Sequence, residues 1–128
     1  EDIISGSGIS KIYETLTHEK LSAEEIFKKF LDKEPDALFV INGFIKSLSQ
    51  TLSDLALSFL PGKGILLAGS LSRSIYTHFN EQNFFKPFIN NNTGMHFDIL
   101  KNTPIGVITK ERTPLYGNLA FYKNLNKI

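Results

Sequence analysis

The chain has 128 residues, of which 41% are apolar and 21% charged, and its formal net charge is +1. This length suits one domain with a buried core, and the nearly balanced charge argues against a disordered chain or a dedicated nucleic-acid-binding protein. The absence of cysteine excludes disulfides and thiolate metal ligands, and no apolar run is long enough to span a membrane. We therefore predict a soluble, cytoplasmic α/β or α domain. Because the chain begins at Glu1 and its only methionine is Met95, we expect it to be a segment of a larger protein.

The first predicted helix follows a glycine-rich turn, Ser5-Gly6-Ser7-Gly8. The apolar residues after this turn recur at helical spacing: Ile9, Ile12, Tyr13 and Leu16. Ser5 or Ser7 can cap this helix by accepting a hydrogen bond from a free amide of its first turn. The two glycines leave backbone amides open to an approaching ligand.

A capping box marks the second predicted helix. Ser22 is the expected N-cap, and Glu25 would reach back to its backbone amide. This helix should end near Lys33, because Pro35 disfavours helical geometry in the residue before it.

The longest predicted element is a buried helix over residues 37–59, where apolar residues alternate at steps of four and three. Pro61-Gly62 ends it. Gly43, in its middle, costs about 1 kcal/mol relative to alanine, so we expect another element to pack closely against this position.

Two short apolar runs, residues 64–69 and 104–109, predict strands that are covered on both faces. Because helices lie between them, we expect parallel pairing through a crossover connection. Two strands are too few for a covered sheet, so the remaining strands should lie upstream of Glu1. The other predicted helical segments are residues 72–79, 83–89, a single turn at 95–100, and a closing helix at 113–125.

Several motif-like features have ordinary structural explanations. Gly62-Lys63-Gly64 lacks the first glycine and the final serine or threonine of a phosphate loop, so we interpret it as a turn. No histidine has metal-ligand spacing. The phenylalanines are expected in the core, because a base-stacking platform would need interleaved arginines: Phe84, Phe85 and Phe88.

Two segments are candidates for ligand binding. Leu67-Ala68-Gly69-Ser70-Leu71 is a strand end followed by a helix, the position where ligands bind in open α/β sheets and where small residues let a flat ring approach the backbone. An ordinary strand-to-helix turn has the same pattern. Glu1, before the glycine-rich turn, could accept hydrogen bonds from hydroxyl groups, although a solvated glutamate would look no different.

Taken in order, these residues resemble the C-terminal part of a bacterial-type glucokinase, an ATP-dependent hexokinase of the actin-like, ribonuclease-H-like ATPase superfamily. Glu1 and the turn at residues 5–8 are similar to the family's glutamate followed by Ser-Gly-Pro-Gly. Residues 64–71 are similar to its Gly-Val-x-Ile-Ala-Gly-Gly-Ile. The further similar segments are Asp54-Leu55-Ala56-Leu57, Phe85-Lys86-Pro87-Phe88, Thr103-Pro104-Ile105 and Pro114-Leu115-Tyr116-Gly117. The order and spacing of these motifs make the match specific.

The resemblance implies an α/β fold in which residues 1–128 are a helix-rich, ribonuclease-H-like large-lobe segment, with two parallel strands of a sheet whose other strands lie upstream. It implies that Glu1 is a sugar-binding residue and that Gly69 and Ser70 fall at the adenosine-binding pair. Gly117 would lie near the hinge between the lobes. Ser70 replaces the family's second glycine, which puts ATP affinity or selectivity in question.

The resemblance also implies a reaction, in which the parent enzyme transfers the terminal phosphoryl group of ATP, with Mg²⁺, to the 6-hydroxyl of glucose. The catalytic aspartate, the phosphate loop and most contacts to Mg²⁺ would lie upstream, so this segment alone should be inactive. The expected partners are glucose, ATP and the remainder of the glucokinase chain, with no nucleic acid or membrane, and a homodimer is left open. Two alternatives remain: a kinase for another hexose or an amino-sugar, and a degenerate, non-catalytic sugar- or nucleotide-binding regulatory module.

Overall fold

A computed structural model describes residues 4–90 and 92–125 of the chain. Within these ranges the elements are α1 (Gly6–Thr17), α2 (Ala23–Leu31), α3 (Pro35–Phe59), β1 (Ile65–Leu67), α4 (Ser70–Ile75), α5 (Lys86–Ile89), α6 (Gly94–Lys101), β2 (Ile105–Val107) and α7 (Thr113–Leu125). A 3₁₀ turn, Tyr76–His78, and a π-helical turn, Glu81–Phe85, join α4 to α5. The predicted order of helices and strands is confirmed.

The long helix α3 is the centre of the fold, and α1, α2, α5, α6 and the π-helical turn all pack against it. Pro35 is its first residue, and the Glu34 carboxylate accepts a hydrogen bond of 2.8 Å from the Ala37 amide. The buried residues of α3 follow the predicted helical spacing: Ala37, Val40, Ile41, Phe44, Ile45, Ser49, Leu52, Ser53 and Ala56. The prediction of a long helix with a buried stripe is confirmed, but burial along its whole length is not, since Leu55 and Phe59 near its end are 42% and 77% exposed.

The expected close packing at Gly43 is wrong. Gly43 is exposed, and a Cβ atom added to it would have no neighbour within 4 Å. It lies on the solvent-facing side of α3, whereas the core is built from the other side of the helix. No steric reason within the described chain therefore requires glycine at this position.

Three helices meet at Tyr13, which is 1% exposed. Lys29 Nζ donates a hydrogen bond of 3.0 Å to the Tyr13 hydroxyl, and this hydroxyl donates one of 3.5 Å to Glu34 Oε2. Lys29 also forms an ion pair of 2.8 Å with Glu19. The hydrogen bonds to Glu19 and Tyr13 raise the pKa of Lys29 above its usual range, because they favour its charged form.

The two strands pair in parallel as predicted, with Ile65 opposite Ile105 and Leu67 opposite Val107. The expectation that both faces are covered is wrong for β1, since Leu66 is 71% exposed. Successive side chains of a strand point to opposite faces, so Ile65 and Leu67 pack against the core while Leu66 points away from it. The described helices cover one face of this sheet.

The sequence 62–64 forms a turn, as predicted, in which the Gly64 amide donates a hydrogen bond of 2.9 Å to the Pro61 carbonyl. Gly64 has a φ of +94°, and a Cβ atom there would collide with the carbonyl oxygen of Pro104. That oxygen accepts a hydrogen bond of 2.8 Å from the Ile65 amide. Glycine at residue 64 is therefore required for the strands to pair.

The second half of the helical layer differs from expectation in two details. Phe84 and Phe88 are buried as predicted, but Phe85 is 50% exposed, because adjacent residues of a helical turn point in different directions. The segment predicted as one turn is the eight-residue helix α6. Its last turn is extended by side chains that bond helix carbonyls, with Asn102 donating to Asp98 and Thr103 donating to Ile99.

Replacing Gly64 by alanine should lower the free energy of unfolding by about 2–4 kcal/mol, because both the backbone conformation and the contact with Pro104 exclude a Cβ atom. Urea denaturation of the full-length protein measures the change. Gly62→Ala is the matched control, since a Cβ atom there meets nothing within 4 Å. Equal effects of the two substitutions would contradict the steric explanation.

Candidate functional site

Ser70 lines a cleft between the start of α1, α2 and α4. The cleft has a volume of about 490 Å³, which lies in the range of small-molecule sites, roughly 300–1,000 Å³. Its lining residues are Gly6, Ala23, Glu24, Phe27, Lys28, Ser70, Leu71 and Ser74. The fold thus brings the glycine-rich turn and the Gly69-Ser70 segment to one place. Sequence reasoning had singled out both segments separately.

The glycine-rich turn forms one end of the cleft. Ser5, one of the two predicted candidates, is the N-cap of α1, and its hydroxyl accepts a hydrogen bond of 3.0 Å from the Gly8 amide. A Cβ atom added to Gly6 would lie 3.6 Å from the Cβ of Ala23, which is ordinary van der Waals contact. The first turns of α1 and α2 therefore pack closely at this end.

The wall of the cleft is α2, whose first turn is fixed by the predicted capping box. The Ser22 amide donates to Glu25 Oε2 at 2.8 Å, and the Glu25 amide donates to Ser22 Oγ at 3.3 Å. The bond from the Ser22 backbone, followed by that from its hydroxyl, lowers the pKa of Glu25. Glu24 and Lys28, four residues apart, share the helix face that lines the cleft.

Phe27 is the aromatic side chain that lines the cleft, and its ring packs against the rings of Phe30 and His78. Its ring centroid lies 5.5 Å from that of Phe30 and 5.6 Å from that of His78. The His78 ring also meets Phe30 edge-on at 4.9 Å. Because His78 belongs to the 3₁₀ turn after α4, these contacts join the α2 wall to the segment that carries Ser70.

The opposite wall is formed by α4, and Gly69 is the N-cap residue just before it. Gly69 has a φ of 123° and a ψ of 164°, a conformation that is essentially restricted to glycine. A Cβ atom there would meet nothing within 4 Å, so the side of this residue is open. Contact of a ligand with the backbone at Gly69 and Ser70 stays a prediction.

The chemistry of the cleft suits a molecule with a flat apolar part and a polar part. Ala23, Phe27 and Leu71 supply apolar surface, Glu24 and the serine hydroxyls accept hydrogen bonds, and Lys28 is a cation. Within residues 4–90 and 92–125, no group of three histidine or acidic side chains is placed to hold a metal ion. In the same ranges no helix is long and apolar enough to cross a membrane.

Not every predicted site residue can be located. Glu1 lies outside the described residues, so its sugar-binding role stays a prediction. Gly117 lies in α7, where a Cβ atom would have no neighbour within 4 Å, and its place near a hinge also stays a prediction. Sequence reasoning missed Glu24, Phe27 and Lys28, whose only signal was their position on one face of a helix with a clear N-cap.

Comparisons with known proteins match this chain to glucokinases. The glucokinase family model matches residues 1–125. A glucokinase of Mesorhizobium japonicum is 28% identical over 131 residues, covering 97% of this chain and 38% of that protein. A glucokinase of Saccharophagus degradans is also 28% identical, over 135 residues, covering 98% of this chain and 40% of that protein. The chain thus spans about two fifths of the length of these curated relatives.

Replacing Ser22 by alanine should raise the pKa of Glu25 part of the way towards its ordinary value of 4.5, because the hydrogen bond from the Ser22 hydroxyl is lost while the larger contribution, from the backbone amide, remains. A carboxylate with a lowered pKa stabilises the fold above its unfolded pKa, and this contribution disappears as the pH falls through the lowered value. Carboxyl-carbon NMR titration measures the shift. Ser58→Ala, an exposed position on α3, is the control, and an unchanged Glu25 pKa in the Ser22 variant would refute the assignment.

Proposed function

The chain belongs to the glucokinase family, and from this premise we propose that it forms the adenosine-binding side of an ATP-dependent kinase that phosphorylates the 6-hydroxyl of glucose. The observation that carries the proposal is the cleft that unites Gly6, Ser70 and the α2 wall. The family relationship supports the reaction class. The shape and chemistry of the cleft support its role as the nucleotide site.

The adenine ring would lie between the open backbone at Gly69 and the apolar wall. Phe27 offers an aromatic surface there, and its position is fixed by Phe30 and His78. Ser70 stands where the resemblance implies a second glycine, yet with its side chain in place the cleft keeps a volume of about 490 Å³. We therefore expect Ser70 to be compatible with nucleotide binding and to offer its hydroxyl to the ligand.

The polar part of adenosine would meet the charged pair on α2. An ionised carboxylate at Glu24 accepts hydrogen bonds from neighbouring hydroxyl groups such as those of ribose. Lys28 supplies positive charge for a phosphate, and it has no ion-pair partner in the described part of the chain. These two residues extend the nucleotide contact beyond the pair that the resemblance suggested.

Phosphoryl transfer depends on positioning, a base and neutralisation of phosphate charge. When bound, Mg²⁺ neutralises charge on the phosphates, and the described residues do not form a site for it. The contribution of this chain would be to hold the nucleoside and thereby fix the direction of the phosphate chain. The base, the metal contacts and most sugar contacts other than Glu1 would come from the rest of the protein.

The same proposal includes the ribonuclease-H-like fold, completed by the remainder of the glucokinase chain. One support is the uncovered face of β1 at Leu66. Another is α7, which makes few contacts with the described elements and exposes several large apolar residues: Leu115, Tyr116, Leu119, Phe121 and Tyr122. Further strands and helices would cover these surfaces. A cytoplasmic location stays a prediction from the sequence.

Kinetics of the full-length protein test the nucleotide site. Ser70→Tyr should raise the KM for ATP at least about tenfold, because the larger side chain fills the cleft, and Lys28→Met should raise it about fivefold through loss of a phosphate contact. The KM for glucose should stay unchanged in both. The controls are Thr77→Tyr and Lys20→Met, at exposed positions outside the cleft lining. An unchanged KM for ATP in both test variants would exclude this cleft as the adenosine site.

A substrate panel tests the reaction itself. We expect the full-length protein to phosphorylate glucose with ATP and Mg²⁺, with a kcat/KM for glucose above that for other hexoses and amino-sugars. Turnover of another sugar but not of glucose would support a kinase with a different substrate. Binding of ATP without any turnover would instead favour the regulatory module.

A further inference from the structure

Asn83 is a buried polar residue that lies outside the cleft at Ser70. It belongs to the π-helical turn, Glu81–Phe85, and is only 7% exposed. Such turns are rare in proteins and occur frequently near functional sites. A buried amide side chain costs free energy unless its polar atoms are hydrogen-bonded, so the partners of Asn83 indicate which parts of the chain it holds in place.

The Asn83 side chain connects the 3₁₀ turn to the central helix. Its Nδ2 donates one hydrogen bond of 2.9 Å to Asn42 Oδ1 on α3 and another of 3.0 Å to the His78 carbonyl. Its Oδ1 accepts a hydrogen bond of 2.8 Å from the Asn80 amide. Asn42 is itself fixed, because its Nδ2 donates to the Leu38 carbonyl at 2.8 Å. The end of the 3₁₀ turn is therefore attached to α3 through one side chain.

His78 extends this attachment to the wall of the cleft. While its carbonyl is held by Asn83, its ring meets Phe30 at an interplanar angle of 87° and Phe27 at 72°. Phe30 is 8% exposed and belongs to the core, whereas Phe27 lines the cleft. Edge-to-face contacts favour a defined arrangement of the rings, so the position of His78 affects the orientation of Phe27.

From this series of contacts we propose that His78 and Asn83 are positioning residues for the nucleotide and that both act through Phe27. Asn83 fixes the His78 carbonyl relative to α3, and the His78 ring holds Phe27 in the orientation that receives the adenine ring. The inference rests on the proposed function, since it requires that the cleft binds the nucleotide. It adds two residues that affect nucleotide affinity although neither lines the cleft.

Substitution of His78 in the full-length protein tests the aromatic contact. His78→Ala should raise the KM for ATP about fivefold, because Phe27 loses a ring that orients it, while kcat and the KM for glucose should change by less than about twofold. His78→Phe restores an aromatic ring and should recover most of the affinity for ATP. Thr77→Ala, an exposed position in the same 3₁₀ turn, is the control and should leave the KM for ATP unchanged.

A nearly isosteric substitution tests the hydrogen bonds. Asn83→Asp keeps the oxygen that accepts from the Asn80 amide but places a second oxygen against the His78 carbonyl. The KM for ATP should rise about threefold, and the dissociation constant of ADP, from isothermal titration calorimetry, should rise by the same factor. Asn102→Ala is the matched control: Asn102 Nδ2 also donates to a backbone carbonyl, that of Asp98, at 2.8 Å, and lies outside the cleft lining.

A double-mutant cycle tests whether Asn83 acts through His78. If it does, Asn83→Asp should have little further effect in the His78→Ala variant, and the double variant should show about the fivefold rise of His78→Ala alone. Independent contributions would multiply to about fifteenfold. Circular dichroism checks that each variant is folded. If Asn83→Asp does not fold, Asn42→Ala takes its place in the cycle, because it removes the partner of Asn83 on α3.

Three results would overturn the proposal: an unchanged KM for ATP in His78→Ala, an equal rise in the KM values for ATP and glucose, or multiplicative effects in the cycle. Ser70→Tyr distinguishes this failure from failure of the nucleotide site. A raised KM for ATP in Ser70→Tyr but not in His78→Ala would overturn the positioning role and leave the site in place. An unchanged KM for ATP in both variants would overturn both.

Discussion

The packing of α1 and α2 onto α3 is the interaction on which the other features depend. Tyr13 is central to it, because its ring is buried among the three helices while its hydroxyl lies between Lys29 of α2 and Glu34. Glu34 also caps α3 through the Ala37 amide, so its carboxylate joins the beginning of the central helix to α1, and the Tyr13 hydroxyl extends this link to Lys29 of α2. A buried hydroxyl without partners would lower the stability of the fold by about 1–3 kcal/mol, so the hydrogen bonds to Lys29 and Glu34 are needed to keep Tyr13 in this position.

This junction determines where the cleft residues lie. Once α2 is fixed against α1 and α3, its free face carries Glu24 and Lys28 towards Ser70. Contacts of His78 with Phe27 and Phe30 then tie the segment after α4 to the same helix. The cleft is thus a result of helix packing. The rings of Phe27, Phe30 and His78 contact one another and connect its two walls.

The sequence predicted those features that short stretches of chain encode. The capping box at Ser22, the end of α2 before Pro35 and the turn at Gly64 depend on nearby residues, and each has the expected form. Burial at Gly43 and Leu66 was predicted wrongly, because it depends on what packs there from elsewhere. The α2 wall was missed for a related reason: its residues become part of the site only after distant segments meet, and the resemblance singled out other positions.

Glycines at three positions show how the same residue type points to different constraints. Gly64 is required by a collision with Pro104, and Gly69 by a backbone conformation beside an open space. Gly43 has a helical backbone and no close neighbour, so nothing in the described chain requires glycine there. The open side of Gly69 lies next to Ser70, which lines a cleft of small-molecule size, whereas the open side of Gly43 is on the solvent-facing side of a long helix.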